Sequence, residues 1–423
     1  MRIPKGFPAL IICLSLALSS HAATGPDSLR LTLPEAENIF LVKNLELIAR
    51  KYDVDINQAY AQQAKYWDNP VLNTDQNIYD GKFFRHDNNY GQVFLQIEEL
   101  IKTAGKRSKL IRLSNDGVLS ARQQFNDVMR NLLYLLRTDF FTLHELLETN
   151  NIYATEATSL QSLVKGMDAQ LQSGNISVKE NVRVKSLLYS LQSDQAGLEV
   201  RIGDLQKDLH VLLQIRGDTI LIPSSDSSIT FRPEMFNVQQ LLDSARDNRP
   251  DLQLAKTNLL WQQHNLSYQK ALAIPDLTVA VEYDQRSSYI NNYYGLGISL
   301  PIPLLNTNKG NIRAAHLGTG QAETQVLQAQ TLAEQEVTAA YRKLLIASGL
   351  QQQQPATLAS NYEHLFHGMV QSYEQRQVSL LEFIDFFDAY KDAKTKQLQM
   401  ETSLKSAAAE IDFTTATNMI RVN

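Results

Sequence analysis

From Arg107 to Gln172 the chain has no proline, and its apolar residues recur at alternating steps of four and three. Met129, Leu133, Leu136, Phe140, Leu143 and Leu147 form one seam, and Leu160, Val164, Met167 and Leu171 resume it after a polar gap at Asn150–Asn151. That period belongs to an α-helix packed as in a left-handed coiled coil. At 1.5 Å per residue such a helix is a rod of about 100 Å. A rod of this length cannot turn back into a compact core, so it must lie beside other helices of comparable length.

The N-terminus reads as a processing signal. Arg2 and Lys5 precede an apolar run from Phe7 to Leu18, and Ser20-His21-Ala22 places small residues at the expected cleavage positions. A signal over 1–22 and a mature chain from Ala23 are expected. The one cysteine, Cys13, lies inside that run without a lipobox, so no acylated N-terminus, disulfide or thiol chemistry is expected in the mature chain. No later run is apolar enough for a spanning helix. Any membrane crossing must therefore be made of strands. A formal net charge of −5 with scattered basic residues gives no footprint for nucleic acid.

Downstream the chain repeats itself. Leu31 to about Trp67 reads as an amphipathic helix broken at Asn69-Pro70, and Val71–Asp80 and Gly91–Leu100 as two extended segments around a polar loop. Gly105-Lys106-Arg107 launches the long helix. About 205 residues on, the order returns. A helix from Phe236 carries Arg249-Pro-Asp-Leu252 where the first carries Asn44-Leu-Glu-Leu47. Ile274-Pro275 breaks it, Asp276–Tyr283 and Gly295–Pro303 alternate as strands, and Asn308-Lys-Gly310 launches a second long helix seamed by Val326, Ala329, Ala333, Val337, Ala340 and Leu344. Each long helix is followed, after a turn near Gly174 or Arg376, by a shorter returning helix. Two short helices stacked end to end then match one long one. The expected organisation is a first repeat over 23–215, a linker over 216–235 and a second repeat over 236–423.

The four alternating segments are each about ten residues, the length a tilted strand needs to cross a bilayer. Leu277, Val279, Val281 and Tyr283 share one face, as do Leu296, Ile298 and Leu300. Four strands are too few to close a barrel, and lipid does not tolerate open edges. Closure must come from neighbouring subunits.

This duplicated order resembles the TolC-like outer-membrane efflux factors, most specifically at Ile274-Pro-Asp-Leu-Thr-Val, Gly297-Ile-Ser-Leu-Pro-Ile-Pro and Val378-Ser-Leu-Leu-Glu-Phe-Ile-Asp385. The resemblance spans essentially the whole mature chain. It implies a mainly α fold with a transmembrane β-barrel. Three chains would share about twelve strands in the outer membrane and an α-helical periplasmic tunnel. It implies a homotrimer that acts as a passive exit duct, docked to a periplasmic adaptor (a membrane fusion protein) and an inner-membrane RND-type pump, with no cofactor. The missing lipobox and the Ser-Leu-Leu-Glu-Phe stretch look most similar to the heavy-metal branch of cobalt–zinc–cadmium type. Multidrug efflux and type I secretion channels of the same fold remain alternatives. A periplasmic coiled-coil adaptor is a more distant one, since the duplicated hairpins argue against it. No Walker loop, nucleophile elbow or dinucleotide fingerprint occurs, so no enzyme is expected.

Functional residues are expected at the turns. Gly174 can end its helix in the left-handed conformation, and Ser177 and Ser379 can cap the helices that follow. The resemblance makes Gly174, Ser177, Arg376 and Ser379 the tips that an adaptor grips, with Arg376 where the family usually has glycine. Glu382 and Asp385 are three apart and share a helix face. In a trimer they would form stacked carboxylate rings around the mouth, raising each other's pKa and attracting cations. Tyr373 and Glu180 match gate positions, whereas Val378 stands where the family's gate arginine would be. His364 and His367 have a spacing that can bind metal, but no third ligand completes a site. In His144-Glu145 the second histidine of a zinc-protease motif is replaced by Glu148. Pro355 should kink the second long helix at the height of Asn150–Asn151 in the first. Gly318 and Gly320 lower helix stability nearby.

Overall fold

The computed structural model describes residues 27–79, 81–87, 90–224, 237–353 and 356–418, with the backbone alone for 356–364. The expected signal peptide, Cys13 and Pro355 lie outside the described residues.

The first repeat contains β1 (Ser28–Leu31), α1 (Leu33–Lys43), α2 (Leu45–Gln63), β2 (Val71–Gln76), β3 (Val93–Ile101), α3 (Lys106–Gln172) and α4 (Val178–Leu213). The short strand β4 (Ile220–Pro223) follows. The second repeat contains α5 (Val238–Asn248), α6 (Pro250–Leu272), β5 (Leu277–Arg286), β6 (Asn291–Ser299), α7 (Lys309–Gln352), α8 (Ala356–Glu374) and α9 (Leu380–Thr415).

The rod is α3, 67 residues long. It packs against α2 toward its start and against α4 toward its end, so two shorter helices cover one long one. The predicted seam divides between two cores. Leu136, Phe140 and Leu143 are buried with Phe40, Leu47, Leu209 and Leu213 near mid-height. Leu160 and Met167 join Val184, Leu191, Phe366, Phe383 and Phe387 toward the tip. On α7, Val337, Ala340 and Leu344 form a third core with Leu241, Leu404 and Ile411.

Two expectations about the helices need correction. The helix expected from Leu31 to Trp67 is two helices, because Asn44 takes an extended conformation (ψ 121°). Its side chain accepts from Leu47 N and donates to the Leu212 carbonyl on α4 at 3.0 Å. The second repeat breaks at Arg249 (ψ 119°), whose guanidinium faces the Thr414 carbonyl on α9 at 3.5 Å. The residues aligned in sequence, Asn44 with Arg249, are therefore the same joint. Conversely, α3 stays helical through Asn150–Asn151. The two long helices are not matched there, since α7 ends at Gln352 and α8 begins at Ala356.

The four predicted strands form one antiparallel sheet in the order β2-β3-β5-β6. Leu72, Ile97, Val281 and Leu296 are directly opposed across all four strands, as are Leu95, Tyr283 and Tyr294 on three of them. Directly opposed residues share a face, and on this one Ile97, Val281, Leu296 and Ile298 are more than half exposed. The opposite face presents Asn73, Gln96 and Glu282 in one row, joined by 3.1 Å hydrogen bonds from Asn73 Nδ2 to Gln96 Oε1 and from Gln96 Nε2 to Glu282 Oε2. Among the described residues the sheet is open, with β2 and β6 as its unpaired edges. At its base the buried Lys106 donates to Asp276 Oδ1 and to the Ile274 carbonyl, both at 2.6 Å. Thr103 N donates to Asp276 Oδ1 at 2.8 Å. The Gly-Lys launch of one repeat thus grips the Ile-Pro-Asp break of the other. The linker's first strand, β4, pairs in parallel with β1, and Gln206 bonds both backbone groups of Leu221.

Candidate functional site at the helical tips

The α3–α4 and α8–α9 turns lie together at the end of the molecule away from the sheet. Gly174 (φ 73°) and Arg376 (φ 59°) both take the left-handed conformation. In each turn the next amide reaches back five residues, Asn175 N to Gln170 O and Gln377 N to Ser372 O, both at 2.8 Å. That is the Schellman closure, which glycine adopts most readily. Arg376 adopts it despite its Cβ, and the conformation carries its side chain over the first turn. There Nη2 donates to the Asn175 carbonyl at 3.0 Å and approaches Gln170 Oε1 at 3.5 Å. The turn is closed as in glycine's case, and the added side chain ties the two turns together.

Ser177 and Ser379 cap α4 and α9, as expected, each in a reciprocal box with the glutamate three residues on. Ser177 N donates to Glu180 Oε2 at 2.9 Å, and Ser379 N to Glu382 Oε2 at 2.7 Å. Glu382 therefore turns back on its own helix. The hydrogen bonds from Ser379 hold its carboxyl below the usual range, whereas mutual repulsion with Asp385 was expected to raise it. The Ser-x-x-Glu signal of such a box is present at each turn, at Ser177–Glu180 and Ser379–Glu382, and accounts for both. Glu382 and Asp385 are both exposed on one side of α9.

Tyr373 stacks on Phe383, with ring centroids 5.0 Å apart, and lies close enough to Glu180 for that charge to raise its hydroxyl pKa after burial has done so. Glu180 is held low by Ser177 and, more weakly, by Arg376. Glu180, Tyr373, Arg376 and Val378 line one cleft of about 400 Å³ between the tips. Three of the four predicted gate residues, Glu180, Tyr373 and Glu382, thus sit within the turns or the cleft. Asp385 lies one turn further along α9. The aromatic stack behind them, Phe366 on Tyr390 at 4.9 Å and Phe383 beside Phe387 at 6.4 Å, was not anticipated. Its members are spaced along α8 and α9 as ordinary core.

Among the described residues no group of three or more His, Cys, Asp or Glu side chains could hold a metal. His367 is exposed beside Phe366, and the His364 side chain lies outside the described residues. Gly318 sits where α6 comes close: a Cβ there would fall 2.9 Å from Gln262 Oε1.

Residues 241–417 match the model of the outer membrane efflux protein family. The chain is 20% identical over 401 residues to the cobalt-zinc-cadmium resistance protein CzcC of Cupriavidus metallidurans, covering 92% of this chain and 90% of that one. In fold it is similar to CusC (TM-score 0.70, 15% identity, 98% and 99% of the two chains). It is also similar to the CmeC outer membrane channel of Campylobacter jejuni (TM-score 0.69, 13% identity, 90% and 85%). The MtrE outer membrane channel of Neisseria gonorrhoeae, solved in its open state, matches with a TM-score of 0.66 at 14% identity over 92% and 90%. The family model thus matches most of the second half of the chain, and nearly the whole length shares the fold of solved outer membrane channels.

Proposed function

We propose that this chain is the exit duct of a tripartite efflux system, a homotrimer seated in the outer membrane and reaching down through the periplasm. The observation that carries this reading is the open sheet. One face is exposed and apolar, the other polar, both edges are unpaired, and the sheet stands at the end of a helical rod of about 100 Å. Lipid against the apolar face and further copies against the edges satisfy all of these groups at once.

The internal repeat supplies the geometry of closure. Within the chain α3 of the first repeat packs on α6 of the second, and β3 pairs with β5. The corresponding partners of α7 and β6 are an α2 and a β2, and these come from the next copy. Leu45, Ile48, Ile56 and Tyr60 of α2 are exposed along its length, and Leu317 and Leu327 along α7. Three copies joined this way give twelve strands.

In this reading the tips are the periplasmic mouth, gripped by an adaptor, and an inner-membrane RND-type pump supplies the energy. Asp385 and the cap-held Glu382 present negative charge to entering cargo. Similarity to CzcC favours heavy-metal cations as that cargo. Multidrug export is the second reading, because the chain shares its fold with channels such as CmeC as closely as with CusC.

Planar-bilayer recording tests the mouth. Asp385→Ala is expected to raise conductance and weaken block by multivalent cations, and Glu382→Ala to do so less, because its carboxylate is engaged at Ser379. Unchanged conductance and block in both variants would remove the acidic mouth while leaving the fold untouched.

A further inference from the structure

Glu156 of α3 is 1% exposed, and neither of its carboxylate oxygens has a hydrogen-bond partner among the described residues. It precedes Ala157 in the tip-side core and has no role in capping or in the mouth. An unpaired buried carboxylate is costly unless it is neutral or a cation is within reach. One is. Lys391 of α9 supplies the charge that acts on Glu156, and its ammonium lies 6.0 Å from the ring of Tyr153, one turn away on α3. That ammonium is held instead by Asp194 of α4, at 3.2 Å. The lysine therefore stands between an acceptor on α4 that it uses and one on α3 that it does not.

We propose that Asp194 and Glu156 are alternative acceptors for Lys391, so that loss of the Glu156 proton to water moves the lysine from α4 to α3 and shifts α9 against the α3–α4 hairpin. The titratable groups around the lysine are Tyr153 and Glu156 from α3, Asp194 from α4, and Asp388 from α9 itself. From α8, His367 is exposed beside Phe366. Burial pushes the Glu156 carboxyl up to about 8, with Lys391 opposing it. Below that pH Glu156 is neutral and Asp194 is the only anion in the pair. Above it the buried anion lacks any other counter-ion among the described residues and draws the ammonium inward. Lys391 lies two turns beyond Glu382 and Asp385 on the same helix, so a displaced α9 carries those carboxylates with it. This last consequence rests on the mouth reading, and the exchange of partners does not.

The chain's single cysteine, Cys13, lies in the expected signal, so pairs of spin labels can be placed cleanly on the mature protein. Labels at Gln192→Cys on α4 and Lys396→Cys on α9, both exposed positions, would be read by pulsed electron resonance on the full, detergent-solubilised protein between pH 6 and 10. The expected result is a shift in the α4–α9 distance with a midpoint near pH 8. Glu156→Gln should abolish it, and Asp194→Asn should hold the high-pH distance at a lower pH. A distance independent of pH in the parent protein, or a pH shift that survives Glu156→Gln, would overturn the proposal. Bilayer conductance of the same protein separates the two readings. Moving labels with a pH-independent conductance would keep the partner exchange and remove its coupling to the mouth.

Discussion

Each of the two tip turns commits a serine hydroxyl and a glutamate carboxylate to the first turn of the following helix. Ser177→Ala and Ser379→Ala are each expected to cost about 1 kcal/mol, as at other helix caps, read as a lower midpoint of thermal unfolding by circular dichroism. The capping carboxyls of Glu180 and Glu382 are held below their usual range. Their stabilisation is present above the unfolded carboxyl pKa and is lost as pH falls through the lowered folded one. Glu156 has the opposite sign. Its folded carboxyl lies near 8 against an ordinary 4.5, so the folded state binds the proton more tightly and stability falls as pH rises between those values. Glu156→Gln should therefore raise the unfolding midpoint at pH 8 and leave it little changed near pH 4. An equal effect at both would mean that the site does not titrate. The capping serines were legible because Ser-x-x-Glu is a local signal. Glu156, Lys391 and Asp194 were not, because residues on three helices meet only after the helices have packed.

At the scale of elements, a period of four and three steps fixed which face of α3 is buried, and Leu136, Phe140, Leu143, Leu160 and Met167 are buried as it requires. Leu143→Ala should cost about 2–5 kcal/mol, the range for emptying a packed leucine site. Leu119→Ala, on the same helix but 40% exposed, should cost far less, and chemical denaturation of the two variants side by side decides this. Helix breaks were legible where proline marks them, as at Pro70 and Pro275. The break at Asn44 was not, although Asn44 had been aligned with Arg249, which precedes a proline. Asparagine signals a cap only weakly, and the joint is fixed by its bond to Leu212 on a distant helix. The Asn150–Asn151 pair misled for the converse reason. A polar pair interrupts an apolar seam without breaking backbone hydrogen bonds, and α3 runs unbroken across it.

At the scale of the whole molecule, the two halves carry the same order of elements: two short helices, two strands, a long helix and a returning helix. Strand alternation also gave the two-faced sheet, while its register and the grip of Lys106 on Asp276 depend on contacts about 170 residues apart. Ile298 sits on the exposed apolar face. Ile298→Lys is expected to cost about 2–4 kcal/mol if that face meets the centre of a bilayer, lowering the yield of folded protein in outer-membrane fractions. Gln96→Lys, on the polar face, should be tolerated. Equal losses from both would contradict the assignment of faces. The central claim is that the open sheet and the unmatched faces of α2 and α7 are closed by two further copies. Single-particle electron microscopy of the detergent-solubilised protein tests it most directly. The account predicts a three-fold cylinder with a short barrel at one end and a long helical tunnel ending in paired tips. A monomer, or a six-membered ring, would contradict it.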